Sequence, residues 1–319
     1  MGKTSIEWTD ASWNPIVGCT EVSPGCANCY AARLAATRLR HVSEYETLAE
    51  SISDSPNERK NPRWTGEVRF LPERLEEPLH WRKPRKIFVC DMGDLFHEKV
   101  TDQWLFAVFG VMGGASQHTF QVLTKRPERM QRFLNMPIIK EKFLRAFSRW
   151  PLPNVWLGVS VENQHFADER IPLLLQTPAA VRWISCEPLL GPVDLRAPTE
   201  FVRPWLDKGI DWVVCGGESG PNARPMHPDW ARSLRDQCQA AGVPFFFKQW
   251  GEWAPMGEID GPRTFVGHNL GDGHMMLRYG KKLARRLLDG REWNEFPLIG
   301  NRTAVTGHDS RITSPPVTP

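Results

Sequence analysis

The chain has 319 residues, 41% of them hydrophobic and 24% charged, with a formal net charge of +3. These are ordinary globular values, and so small a net charge gives little support to a nucleic-acid partner. No run approaches the ~20 apolar residues that a membrane span needs, so no membrane segment is predicted.

Met1-Gly2-Lys3-Thr4-Ser5 runs straight into polar Glu7-Trp8-Thr9-Asp10, with neither a signal peptide nor a myristoylation pattern. The 7 cysteines are an odd number. Free thiols without an export signal predict a reducing cytoplasm and no disulfide set. The 14 tryptophans are candidates for base stacking or, as large apolar residues, for the core.

In chain order, residues 1–30 read as a strand followed by a cysteine loop, and Tyr30 to about Arg40 as the first helix. Residues 43–66 are polar, with Asp54-Ser55-Pro56-Asn57 and Asn61-Pro62-Arg63, and read as a surface insertion. Short apolar runs then alternate with amphipathic segments. The expected strands are Lys86–Cys90, His118–Leu123, Val155–Ser160, Val181–Ser185, Trp212–Cys215 and Phe245–Lys248. Helices are expected from about Asp102 to Gly113, from Pro127, after Asn163 to Leu175, and from Pro228 to about Ala241.

This rhythm predicts an α/β fold of βαβ units, a partial or complete (β/α) TIM-type barrel. A doubly wound open sheet is the alternative, disfavoured because no G-x-G-x-x-G follows the first strand. The barrel is expected over residues 1–253. A glycine-rich extension should cover 254–300, with a basic helix at Lys281–Leu288 stopped by Asp289-Gly290. Residues 301–319 read as a disordered tail.

The chemistry concentrates in Cys19, Cys26 and Cys29, spaced C-x6-C-x2-C. Three thiolates can hold three corners of a [4Fe–4S] cluster and leave one iron open to a small molecule. Zinc is the alternative, with a distant fourth ligand, although no second C-x2-C or H-x3-5-H pair follows. In parallel α/β folds the site lies at the carboxyl ends of the strands. The strand ends here supply Asp91 and Asp94, Lys125, Ser160 and Glu162, Cys186 and Glu187, Glu218 and Lys248. Each also has a plain reading. Asp91 and Asp94 could cap the next helix, Lys125 could be solvated, and Glu162 and Glu187 could pair with Arg182 or Arg224. Cys90, Cys186 and Cys215 could form a second metal site or simply pack. His97, His165 and His227 support no assignment.

The motif Gly18-Cys19 to Cys29-Tyr30 resembles the phage Gp37/Gp68 family, a domain of unknown function. So do Ser5-Ile6-Glu7-Trp8-Thr9-Asp10, Trp13-Asn14-Pro15, Cys186 to Pro192, Gly216 to Gly220 and Phe247 to Gly251. The layout is more distantly similar to radical S-adenosylmethionine enzymes of the spore-photoproduct-lyase-like branch. Their usual spacing is C-x3-C-x2-C with an aromatic residue before the last cysteine. Here the first gap is six, and Asn28 holds the aromatic position.

The resemblance implies a partial TIM barrel, a [4Fe–4S] cluster on Cys19, Cys26 and Cys29, and S-adenosylmethionine on the open iron. It also implies that Asp94 holds the cofactor's amino group, Lys125 meets its carboxylate and Ser160 with Glu162 touches its ribose. Glu187 joins these as a cofactor-binding candidate. The implied activity is reductive cleavage of S-adenosylmethionine to a 5′-deoxyadenosyl radical, fed by an external electron donor. The substrate is expected to be a nucleic acid or nucleotide. Basic stretches at Arg82–Lys86 and Lys281–Arg291, with Trp250 and Trp253, would suit it. Two other readings remain open: a zinc- or cluster-stabilised nucleic-acid-binding module, and a metal-dependent hydrolase using Asp94, Glu162 and Glu187.

Overall fold

Seven apolar runs form seven strands: β1 Ala11–Trp13, β2 Lys86–Val89, β3 Thr119–Thr124, β4 Val155–Ser160, β5 Val181–Cys186, β6 Trp212–Gly216 and β7 Phe245–Gln249. They hydrogen-bond in that order, and every pair is parallel. Strand order equals chain order, so crossovers of one hand put the helices on one face and leave the other as the inside of a half-barrel. The doubly wound alternative would need a reversal of strand order, and there is none. The computed structural model describes residue 4 and residues 6–52, 61–196, 204–257 and 266–298. The expected tail at 301–319 lies outside the described residues.

The helices are α1 Tyr30–Ala36, α2 Asp102–Gly114, α3 Pro127–Leu134, α4 Pro137–Phe147, α5 Gln164–Leu175 and α6 Pro228–Ala241. The sequence reading did not anticipate α4. Local chemistry sets several starts. Thr101 Oγ1 accepts the Trp104 N–H at the head of α2, Pro127 opens α3, and Asn163 Oδ1 accepts the Phe166 N–H of α5.

The period-2 alternation of the strands makes two apolar layers. Ile87, Val89, Phe120, Val122, Leu157, Ile184, Val213 and Phe247 face the helices and pack with Phe109, Phe133, Ile171 and Leu234. On the inner face lie Trp8, Phe88, Trp156, Trp183, Trp212, Val214 and Phe246. The Trp183 and Trp212 rings lie 5.3 Å apart, and Trp8 and Trp183 meet edge-on at 5.2 Å. These tryptophans fill the barrel, which settles their role as core. Trp250 and Trp253 are buried too and cannot stack on bases.

The polar segment at 43–66 contains an antiparallel hairpin, Ala49–Ile52 with Asn61–Trp64. Buried Tyr45 and Leu48 pack with Ala31 and Ala35 of α1 and anchor it. Beyond β7, Trp253–Pro255, Gly267–Asn269 and Met275–Arg278 form a small antiparallel sheet. The expected basic helix is shorter than its composition suggested, Lys281–Ala284 only, because Arg285 turns to a φ of +54°.

The chain then returns to β7. Phe247 N–H donates to Trp293 O at 3.0 Å, and the Glu295 carboxylate accepts the Phe245 N–H at 2.9 Å, covering the sheet edge. The Phe296 ring sits 5.2 Å from Trp212 and 5.4 Å from Phe246, under the Lys86 ammonium at 3.9 Å. Lys86 and Trp212 are the first residues of their strands, so this segment closes the amino end of the half-barrel. The basic stretch Arg82–Lys86 belongs to that end, opposite the carboxyl ends of the strands. No helix among the described residues is long and apolar enough to cross a membrane.

Removing the closing ring has a measurable cost. Phe296→Ala should lower unfolding free energy by about 1–3 kcal/mol, the scale of exposing one such side chain. Urea denaturation followed by tryptophan fluorescence measures it, and an unchanged midpoint would show that the segment does not hold the barrel.

Candidate metal centre

The three cysteines sit in a segment with little regular structure. Its one element is the 3₁₀ turn Pro24–Cys26, and α1 starts directly after Cys29. Short backbone bonds shape it: Cys26 N–H to Ser23 O at 2.9 Å and Cys29 N–H to Cys26 O at 3.1 Å. What fixes such a loop over the barrel is a set of polar ties to the strand ends.

The first tie holds Cys19. Arg126, following β3, points a guanidinium nitrogen at Cys19 Sγ at 3.6 Å and donates to Thr20 O at 3.2 Å and Thr20 Oγ1 at 2.6 Å. Asp94 fixes Arg126 through a 3.0 Å bond. Asp94 also accepts from Thr124 Oγ1 at 2.7 Å and from the Phe96 and Lys125 N–H groups. With both oxygens engaged, Asp94 positions Arg126. It caps no helix, since α2 takes its cap from Thr101. Buried His97 completes the tie. Its Nδ1 accepts the Lys99 N–H, which puts the proton on Nε2, 3.0 Å from Thr20 Oγ1.

The second tie holds the middle of the loop. Glu162, just past β4, is fully buried. One carboxylate oxygen accepts from Ser23 Oγ at 2.6 Å and lies 3.6 Å from Lys125 Nζ, and the other accepts from Arg170 at 3.0 Å. Gly25 lies so close that a Cβ there would come within 2.6 Å of Glu162 Oε1. Burial pushes the Glu162 carboxyl pKa up, but Lys125 and then Arg170 outweigh it and the net shift is downward. Burial also works against the Lys125 ammonium. Glu162, then Cys26 and Cys29, outweigh it and keep it protonated.

The third tie comes from the loop after β6. Arg224 grips the buried Glu218 carboxylate through two guanidinium nitrogens, at 3.0 and 2.6 Å, and donates to Pro24 O at 2.9 Å. Asn28, between Cys26 and Cys29, donates to Glu218 Oε2 at 2.9 Å. Neither of the acids' suggested partners holds. Arg224 pairs with Glu218, Glu162 with Lys125 and Arg170, and Glu187 with Lys248 at 2.7 Å. The sequence reading named Arg224 but with the wrong acid, and it missed Ser23, Gly25, Arg126 and Arg170. Of these four only Arg126 had a visible signal, its place in Lys125-Arg126-Pro127.

The thiols crowd one another electrostatically. Burial first, then the Asp94 charge, pushes the Cys19 thiol up to about 12, against the pull of Arg126. Burial also raises Cys29, and Cys26 adds to it. Thiolates here need a cation between them, and a bound metal group supplies one. The three sulfurs are not mutually within 4.8 Å. Among the described residues, the His/Cys/Asp/Glu donor set that meets that spacing is His227, Asp272 and His274. A tetrahedral zinc, with Zn–S about 2.3 Å, would hold its sulfurs about 3.8 Å apart. A cluster whose irons each take one thiolate spreads them further. Three thiols in one loop whose charges act on one another are a donor set that suits a cationic iron–sulfur cluster.

The remaining candidates fall elsewhere. Ser160 is buried on the inner face at the end of β4, and its carbonyl accepts from Arg170 at 2.8 Å. Cys186 and Cys215 pair across β5 and β6 within the helix-facing core, and Cys90 lies in the same core. Burial pushes all three thiols up. All three pack within that apolar core. His227 caps α6, accepting the Asp229 N–H on Nδ1 while Nε2 meets Asp272. With both ring nitrogens in use, it is poorly placed as a ligand. His165 is exposed beside Glu169.

The family described as "Protein of unknown function (DUF5131)" matches residues 3–297. That description does not carry the Gp37/Gp68 name suggested by the motifs. No curated protein matches the sequence. Among solved structures, a cysteine-to-serine mutant of spore photoproduct lyase is similar at 9% identity and a TM-score of 0.37, covering 88% of this chain and 71% of that one. A similarity of that size is too small to transfer chemistry.

Glu162→Gln leaves Arg170 and Lys125 without their carboxylate. At neutral pH it should cost roughly 3–5 kcal/mol, as for a buried pair losing one partner. The folded-state pKa of Glu162 lies below its ordinary 4.5. Its stabilisation is therefore present above that value and is lost as pH falls through the folded pKa. Urea unfolding across pH 3–7 should show wild type and variant converging at the acid end. A constant difference would put the effect elsewhere.

Proposed function

The chain belongs to the DUF5131 family, which brings no assigned reaction, and we propose from the site itself that it is a radical S-adenosylmethionine-like iron–sulfur enzyme. The carrying observation is the thiol loop over the carboxyl mouth of the half-barrel. Its three thiols act electrostatically on one another, and the loop that carries them is anchored through Arg126, Glu162 and Glu218. Its nucleotide or nucleic-acid substrate and its external electron donor are parts of the same proposal.

When bound, the cluster and S-adenosylmethionine would supply one-electron reductive cleavage of the C5′–S bond, converting the cofactor into methionine and a 5′-deoxyadenosyl radical. Cys19, Cys26 and Cys29 would hold three irons. Arg126 would keep positive charge beside Cys19 and fix the loop's first turn. Lys125 is the cation nearest the other two thiols, and it would meet the cofactor's carboxylate while keeping its contact with Glu162. Asp94 and Glu162 would act through the residues they hold. Ser160 and the Lys248–Glu187 pair complete the polar wall inside the mouth. The tryptophan layer beneath would keep water from entering from the amino end.

The other readings have less support. A hydrolytic metal would need free carboxylates, and Asp94, Glu162 and Glu187 are each spent on Arg126, Lys125 with Arg170, and Lys248. Arg82–Lys86 lies at the closed end of the barrel, and Trp250 and Trp253 are buried and cannot stack on a base.

Anaerobic reconstitution with iron and sulfide, followed by S-adenosylmethionine and dithionite, should yield 5′-deoxyadenosine. Alanine at Cys19, Cys26 or Cys29 should remove both the visible absorbance and the nucleoside. Cys186→Ala and Cys215→Ala should keep the iron content. An intact cluster that yields no 5′-deoxyadenosine would contradict radical chemistry.

A further inference from the structure

Beside the thiol loop lies an open cleft of about 150 Å³. Its walls include Asn28 and Cys29 of the loop, Arg33 of α1, Asn61 of the hairpin, and Ser219 and Asn222 after β6. Among the described residues no acidic residue lines it. Of the nearby acids, Glu218 is gripped at two points by Arg224, and Glu252 accepts the Gly220 N–H at 3.1 Å and lies 3.6 Å from Arg278.

Arg33 stands apart from the other half-buried cations of this region. Arg126, Lys125, Arg170 and Arg224 each have a carboxylate. Among the described residues, the Arg33 guanidinium has no carboxylate, carbonyl or ring partner. It lies against Gly220, where a Cβ would overlap it, and Gly220 holds a φ of +110° that side-chain-bearing residues avoid. The cleft wall thus makes room for a planar cation to which the described residues offer no partner. Holding a guanidinium half out of water without a partner is unfavourable, and its fork of donors matches a phosphate or carboxylate at two points.

The neighbouring amides are already fixed. Asn28 donates to Asn222 O at 2.9 Å, and Asn61 donates to Ala27 O at 2.6 Å. They brace the wall around Arg33 without competing for it. Arg33 is also one helical turn beyond the third thiol, its N–H bonded to Cys29 O at 3.1 Å. An anion held there would sit close to the metal centre.

We propose that this cleft is the substrate's phosphate subsite, in which Arg33 receives the phosphate of a nucleotide or of a single-stranded nucleic acid. The proposal rests on the nucleotide-type substrate given above. Arg33 binds and orients there, and it takes no part in the bond-breaking step.

The test uses the reconstituted full chain and four probes: inorganic phosphate, a nucleoside, its 5′-monophosphate, and a single-stranded oligonucleotide. Iron content and 5′-deoxyadenosine are read from the same preparations. Wild type should bind the monophosphate or the oligonucleotide more tightly than the nucleoside. Arg33→Gln should weaken that binding about tenfold or more, the scale of a lost charge-assisted contact, while keeping its iron. If the oligonucleotide is the ligand, its salt dependence should also fall by about 0.7 in log–log slope. Gly220→Ala, which displaces the guanidinium without removing it, should weaken the same probes. Equal binding by wild type and R33Q, or no binding of any phosphate probe by wild type, overturns the subsite and leaves the iron–sulfur reading intact. Inorganic phosphate binding as tightly as the nucleotide overturns the substrate assignment. Phosphate binding lost in R33Q without 5′-deoxyadenosine formation in wild type supports the subsite and removes radical chemistry.

Discussion

One buried carboxylate holds the loop and the barrel together. Glu162 lies out of water at the end of β4, and its two oxygens are shared among Ser23, Lys125 and Arg170. A charge in that position is tolerable only with close partners of opposite sign. Each partner does something different. Ser23 belongs to the thiol loop, Lys125 ends the neighbouring strand and faces two of the thiols, and Arg170 comes from the helix behind. Loop, strand and helix are therefore fixed relative to one another by the need to neutralise a single group.

The same reasoning runs around the rim. Three further carboxylates near the mouth are matched to cations, Asp94 with Arg126, Glu187 with Lys248 and Glu218 with Arg224, whereas Asp91 takes the Asn14 amide and burial raises its carboxyl pKa. The thiols are different. They lie close enough to raise one another's proton affinity, and Arg126 and Lys125 offset only part of that. A loop that concentrates sulfur in a buried, crowded place is built to be completed by a cationic group. Arg33 is the converse case, a cation at the edge of the same loop with no anion beside it among the described residues.

Much of the frame was legible in the sequence because it depends on local pattern. Strand β4 and helix α6 begin and end where composition placed them, since an unbroken apolar run and a proline start are unambiguous. Helix α4 was overlooked because it follows α3 directly, opens on Pro137 and carries only a short apolar stripe. The basic segment at 281 looked like a helix by propensity, but a left-handed turn at Arg285 sends the chain back to cover β7. Within the site, the thiol spacing was readable. The ties were not: Ser23 with Glu162, Asn28 with Glu218 and Cys19 with Arg126 join residues more than a hundred positions apart. Periodicity carries no information about such pairs.

What would separate the proposed centre from a closed, purely structural metal site is a cluster corner without a protein ligand. Low-temperature electron paramagnetic resonance of the reduced, reconstituted protein tests it directly, with spectra taken before and after S-adenosylmethionine is added. A three-thiolate cluster with an exchangeable iron should show a [4Fe–4S]+ signal whose g-values shift on addition. A spectrum that does not move, or one typical of four protein ligands, would contradict the account.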